Sequence, residues 1–84
     1  MTTKAPAEVF PPGDFIREEM EVRGWTQTDL AEILGRPLNT VNLILSGKRA
    51  ITPETAKELA AAFGTSPDVW LGLENSYRLA KAEE

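Results

Sequence analysis

The stretch Asp29–Arg49, DLAEILGRPLNTVNLILSGKR, indicates a helix, a tight turn and a second helix, followed by a glycine and two basic residues. Gly35 marks the turn, because glycine adopts the left-handed conformation that ends a helix at the lowest cost. The second of the two helices is rich in leucine and isoleucine for an element expected to face a polar partner. The stretch therefore either meets a ligand or only fills a small helical core.

The spacing of small and aliphatic residues in this stretch fits a helix-turn-helix unit. The pattern Q-x-x-L-A-x-x-x-G-x-x-x-x-x-V runs from Gln27 to Val41. Ala31 is small enough for two helices to cross closely, and Val41 is placed to lock the second helix onto the first. With glycine at the turn, all positions of the pattern are filled.

Helix caps and turn residues on both sides of this unit predict three further helices. One begins near Gly13 or Asp14, one follows Thr52 and Pro53, and the last runs from Pro67 to about Lys81. No strand pattern is present. We expect one all-α domain of five helices over residues 13–82, preceded by an N-terminal arm of residues 1–12 that holds three prolines.

The composition argues against several classes of function. The 84 residues include no cysteine and no histidine, which removes disulfides, thiolate metal sites and the usual general base. The carboxylate pairs Glu18/Glu19 and Glu54/Glu58 lie at helical spacing without a partner base, and so do not resemble a catalytic pair. We therefore expect no enzyme, cofactor or metal site. The absence of a signal-peptide pattern or a membrane-length apolar run predicts a cytoplasmic protein without membrane contact.

The charge is unevenly distributed along the chain. The net charge is −4, but no acidic residue occurs between Glu32 and Glu54, where Arg36, Lys48 and Arg49 all lie. The rest of the chain holds six basic and thirteen acidic residues. A basic window in an acidic chain favours a local surface that meets phosphate.

Rotating the third helix by about 100° per residue separates its residues into two sides. Val41, Ile44 and Leu45 share the side expected to face the core, whereas the opposite side and its borders hold a mixed polar and apolar set. That set comprises Leu38, Asn39, Thr40, Asn42, Leu43 and Ser46.

These residue types suit DNA contact. Asparagine pairs with adenine edges, which makes Asn39 and Asn42 candidates for base reading, and Thr40 and Leu43 suit a thymine methyl or a phosphate. Arg36, Lys48 and Arg49 are candidates for phosphate contact. The alternative is that both asparagines are ordinary solvated polar residues, and that the cations only favour a helix C-terminus.

The fifth helix carries an apolar stripe. Trp70, Leu73, Tyr77 and Ala80 recur at helical spacing. A domain this small does not easily bury all of them within itself, so we expect homodimerisation through this stripe, with packing on the fourth helix as the alternative.

The chain resembles the Cro/C1-type (XRE) helix-turn-helix family, and within it the HigA branch of toxin–antitoxin antidotes. The resemblance lies in GDFIREEM, GWTQTDLAEILGRP, TVNLILSGKRAITPET and SPDVWLGLENSYRLA, which together span most of residues 12–82. It implies a lambda-repressor-like DNA-binding domain that acts as a homodimer on double-stranded DNA with an inverted-repeat operator. It also implies repression of the protein's own operon and neutralisation of a basic, HigB/RelE-like toxin that cleaves mRNA.

The resemblance also assigns individual residues. Gln27 corresponds to a position that grips phosphate or a base, and Leu38, Asn39 and Leu43 correspond to base-reading positions. Leu38 and Leu43 depart from the more polar residues typical of these positions. They predict methyl contacts or shape readout rather than hydrogen bonds to guanine.

Two other functions fit the same sequence. One is a stand-alone transcriptional repressor without a toxin, which the neighbouring gene would distinguish. The other is a protein-interaction module that has lost DNA reading, which the negative net charge and the two leucines favour.

Overall fold

The computed structural model describes residues 10–83, which form five α-helices and no strand. The helices are α1 (Pro12–Arg23), α2 (Gln27–Leu34), α3 (Leu38–Leu45), α4 (Pro53–Phe63) and α5 (Pro67–Ala82). The predicted all-α fold is therefore confirmed. Helix α1 begins at Pro12, one residue inside the predicted arm of residues 1–12, and residues 1–9 of that arm lie outside the described range. None of these five helices combines the length and the apolar character needed to cross a membrane.

Helix α2 begins with a reciprocal cap. The side chain of Thr26 accepts a hydrogen bond from the backbone N–H of Asp29 at 3.1 Å, and the Asp29 carboxylate accepts one from the backbone N–H of Thr26 at 2.9 Å. Gly35 ends the helix in the left-handed conformation, with φ of 70°. These two local signals, both readable in the sequence, fix the length of α2 and the start of the turn into α3.

Trp70 of α5 lies at the centre of the core with 2% of its surface exposed. Its ring packs on Phe63 of α4 with the centroids 5.6 Å apart, and Phe63 in turn stacks on Trp25 at 5.7 Å. The indole N–H donates to the hydroxyl of Thr65 at 2.8 Å, so its one polar group is satisfied. The expectation that Trp70 forms part of a dimer interface is therefore wrong, because the chain's own core already covers this side chain.

Helix α1 makes an unusually close contact with the end of α3. A Cβ atom on Gly13 would lie 2.0 Å from the backbone oxygen of Leu45. The same oxygen accepts a hydrogen bond from the Arg17 guanidinium at 3.1 Å. The last carbonyls of a helix have no partner within the helix, so Arg17 satisfies one of those left at the end of α3. This contact sets the position of the C-terminal end of α3.

We expect replacement of Gly13 by alanine to destabilise the fold by roughly 3 kcal/mol, because the added methyl meets backbone that cannot move aside. Gly72→Ala is the matched control: nothing lies within 4 Å of its added Cβ, and alanine in a helix is favoured over glycine by roughly 0.5–1 kcal/mol. Urea unfolding at one fixed protein concentration measures both. Equal shifts of the two midpoints would contradict the close contact between α1 and α3.

Candidate nucleic-acid interface

Helix α3 has one buried side and one open side, as its periodicity predicts. Val41, Ile44 and Leu45 are all buried in the core. Asn39 and Asn42 are exposed on the other side. The apolar excess of this helix is thus partly explained by packing on the rest of the domain.

The leucines that packing does not explain lie on or beside the open side. Leu38, the first residue of α3, keeps 43% of its surface exposed. Leu43 and Thr40 are half-buried. The open side therefore presents two amide groups together with aliphatic surface, a combination suited to adenine edges and thymine methyls.

The loop after α3 carries two cations next to this side. Gly47 has φ of 80°, and the backbone N–H groups of Lys48 and Arg49 both donate to the Leu43 oxygen, at 2.9 and 3.1 Å. The Arg49 guanidinium reaches back to the Thr40 hydroxyl at 3.4 Å. Both cations are exposed, and neither forms an ion pair within residues 10–83. Their charge is therefore available to an anionic partner.

Gln27 is the first residue of α2 and is exposed. The capping bonds next to it are made by Thr26 and Asp29, which leaves the Gln27 amide unused by the cap. Its position at a helix N-terminus suits contact with a phosphate, since the N–H groups and the dipole of the helix both favour an anion there.

Arg36 was expected to contact a phosphate, but in the structure it pairs with carboxylates of its own chain. Its guanidinium donates to both carboxylate oxygens of Glu58 on α4, at 2.9 and 2.8 Å, and lies 3.5 Å from Glu54. These hydrogen bonds and the negative charge of Glu58 raise the pKa of Arg36 above its ordinary value. The window that lacks acidic residues in sequence is therefore not free of them in space. Arg36 joins the turn between α2 and α3 to α4, and its charge is already compensated, which removes the main argument for phosphate contact.

Two residues of α5 that the sequence did not single out hold the loop after α3. Glu74 is only 8% exposed, and its carboxylate accepts hydrogen bonds from the Ile51 backbone N–H at 3.0 Å and from the Arg78 guanidinium. Arg78 also donates to the Gly47 oxygen at 3.1 Å. The position of Glu74 in the sequence could have identified it. Glu74 follows the apolar Trp70 by one helical turn and so shares its buried side, where a charged residue needs a partner.

The remaining residues of the predicted dimer stripe lie at the surface. Leu73, Tyr77 and Ala80 are half-buried, and Leu79 nearby is exposed. With Trp70 assigned to the core, the stripe that a second copy would contact is narrower than expected. Its role in self-association stays a prediction.

Comparison with known proteins places this geometry among DNA-associated regulators. A family model described as helix-turn-helix matches residues 16–70. The uncharacterised HTH-type transcriptional regulator YddM of Escherichia coli is 37% identical over 73 residues, which is 87% of this chain and 78% of that protein.

Two solved structures are also similar to this chain. One is an addiction module antidote protein of the HigA family from Coxiella burnetii, with a TM-score of 0.82, 39% identity and coverage of 87% of this chain and 80% of that one. The other is the Pseudomonas aeruginosa antitoxin HigA with the higBA promoter, with a TM-score of 0.84, 32% identity and coverage of 89% and 83%.

We expect Arg36→Ala and Glu58→Ala each to lower the midpoint of thermal unfolding, and the double variant to lower it little further, because both remove the same ion pair. The loss is expected to shrink at high salt, which screens a pair at the surface. A double-mutant cycle at low and high sodium chloride measures this. Additive losses would show that the two residues stabilise the fold independently.

Proposed function

This chain belongs to the helix-turn-helix family and, within it, to the HigA-type antitoxins, and on that premise we propose that it is a DNA-binding antitoxin. In this proposal the protein binds an inverted-repeat operator in its own promoter, represses that operon and neutralises the toxin encoded with it. The relative from P. aeruginosa, whose structure contains the higBA promoter, supports the first part. Such a protein acts where the operon and its transcripts are, in the cytoplasm.

The observation that carries the DNA-binding part is the open side of α3. Asn39 and Asn42 are exposed there, and Lys48 and Arg49 lie exposed in the adjacent loop, in a chain of net charge −4. An α-helix fits the major groove, where asparagine reads adenine and nearby cations contact the phosphates on either side. Thr40, Leu38 and Leu43 add methyl groups that favour thymine. Gln27 adds a phosphate contact from the start of α2.

The small number of available cations favours a dimer. Each phosphate contact adds a limited, salt-dependent amount to affinity, and one copy presents two unpaired loop cations within its described residues. Two copies related by a two-fold axis double these contacts and place their α3 helices in successive major grooves, about 34 Å apart. We propose Leu73, Tyr77 and Ala80 of α5 as the contact between the copies.

Toxin neutralisation is proposed from the family and from charge. Outside the window between Glu32 and Glu54 the chain holds six basic and thirteen acidic residues, which suits a basic partner. No acidic residue lies on α3 or in the loop after it, so DNA reading and toxin binding are expected to be separable by mutation. A small basic open reading frame beside this gene would distinguish the antitoxin from a stand-alone repressor.

We expect Asn39→Ala to weaken binding to the upstream region by roughly 1–3 kcal/mol, with little change on unrelated DNA, because it removes a base contact. Lys48→Ala is expected to weaken binding to both DNAs and to lower the slope of log affinity against log salt by about 1, because it removes a phosphate contact. Asn75→Ala, an exposed asparagine on α5, is the matched control. Fluorescence anisotropy at several salt concentrations measures all three.

The same variants test the competing functions when each is co-expressed with the toxin. Loss of operator binding with protection from the toxin intact supports the proposal. Wild-type protein that binds its upstream region no better than unrelated DNA would exclude sequence-specific repression. Protection from the toxin without any DNA binding would identify a protein-interaction module.

Introducing a negative charge into the proposed dimer contact on α5 tests that contact. We expect Ala80→Glu to raise the dimer dissociation constant at least about tenfold, since a carboxylate placed in a two-fold contact meets its own copy. Ala61→Glu, at an exposed position of α4, is the control and is expected to leave association unchanged. Sedimentation equilibrium measures both. An unchanged dissociation constant for Ala80→Glu would place the interface elsewhere.

A further inference from the structure

The loop between α3 and α4, residues 46–52, is bound to α5 from both of its ends. Near its start, the Gly47 oxygen accepts a hydrogen bond from the Arg78 guanidinium at 3.1 Å. Near its end, the Ile51 N–H donates to the Glu74 carboxylate at 3.0 Å. Glu74 and Arg78 also pair with each other, one helical turn apart on α5. The two exposed cations Lys48 and Arg49 therefore lie between two backbone groups, at Gly47 and Ile51, that are hydrogen-bonded to α5.

The burial of Glu74 indicates that this arrangement has a role other than packing. A carboxylate that is 8% exposed is costly to desolvate, and an apolar residue of similar size would fill the same space at no such cost. An apolar residue, however, could neither accept from the Ile51 N–H nor hold Arg78. Arg78 keeps 41% of its side chain exposed, so it adds little to the core itself.

A third contact on α5 restrains the same loop. The Tyr77 hydroxyl lies 3.6 Å from the position that a Cβ on Gly47 would take, so the phenol ring covers the glycine from the side of α5. The Arg78 guanidinium lies 5.2 Å from the centre of the Tyr77 ring. The three side chains Glu74, Tyr77 and Arg78 thus form one cluster on α5. The part of the loop that this cluster contacts at Gly47 is the glycine backbone.

We propose that Glu74 and Arg78 are positioning residues for DNA binding, which fix the loop so that Lys48 and Arg49 point at the phosphates beside the open side of α3. The inference rests on the proposed function. Neither residue contacts DNA: both act through the backbone at Gly47 and Ile51. Without them the two cations must be ordered at the moment of binding, and that cost reduces affinity.

The test is the affinity of Arg78→Ala for the operator. Ordering two long side chains and their loop is expected to weaken binding about tenfold. The helical content measured by circular dichroism should not change, because the side chain is partly exposed. Lys57→Ala, which removes one positive charge from an exposed position of α4, is the charge-matched control and is expected to bind like wild type.

A double-mutant cycle separates positioning from a direct or a general structural effect. In a Lys48→Ala/Arg49→Ala background, Arg78→Ala is expected to cause less than about a twofold further loss, since the cations it positions are gone. An equal loss in both backgrounds overturns the proposal, because Arg78 would then act independently of the loop cations.

Two further measurements keep the proposal falsifiable if Arg78→Ala perturbs the fold. Arg78→Lys keeps the charge but not the planar guanidinium that donates to both Glu74 and Gly47. It is expected to lose less affinity for the operator than Arg78→Ala does. Hydrogen exchange at the Ile51 amide should accelerate in Glu74→Ala, which removes its acceptor. Wild-type affinity in Arg78→Lys and Glu74→Ala overturns the proposal while leaving DNA binding by the chain established. Absence of operator binding by the wild-type protein would instead overturn the proposed function.

Discussion

A helix of eight residues is too short to be stable in water on its own, and α3, which presents the open side, is that short. Its conformation therefore depends on contacts made by the rest of the chain. Three apolar residues hold its inner side in the core, Gly13 and Arg17 of α1 hold its last carbonyl, and α5 holds the loop that follows. The domain can be understood as a support that fixes one short helix from three directions.

The same support explains how an acidic protein presents a surface for an anion. Four arginines of the described residues differ in their partners from the two cations of the loop after α3. Arg36, Arg23, Arg17 and Arg78 pair with carboxylates and join helices or helix turns, whereas Lys48 and Arg49 lie outside any ion pair formed by the described residues. Net charge is therefore a poor guide to what this surface binds, since the local field at the loop is set by the two cations that no carboxylate neutralises.

Helix α5 links the parts of the molecule that the proposed function needs to connect. Its first turns bury Trp70 against α4, a later turn holds the loop after α3 through Glu74 and Arg78, and its half-buried residues are those proposed to meet a second copy. Tyr77 belongs both to the proposed dimer contact and to the cluster against Gly47. An effect of self-association on the loop, and of DNA on self-association, would follow from this shared helix by linkage.

The sequence by itself determined the five helices, the turn at Gly35, the inner side of α3 and the candidate base-reading residues, because caps, glycines and apolar spacing are local signals that act within one or two turns. Only the tertiary structure decided the rest. Trp70 was expected at an interface but lies in the core, and Arg36 was expected at a phosphate but pairs with Glu58 across 22 positions of sequence. Glu74 accepts a hydrogen bond from Ile51, which lies 23 positions earlier in the sequence. Pairing of this kind depends on which helices pack together, and helical periodicity states which side of a helix is apolar but not which partner lies on it.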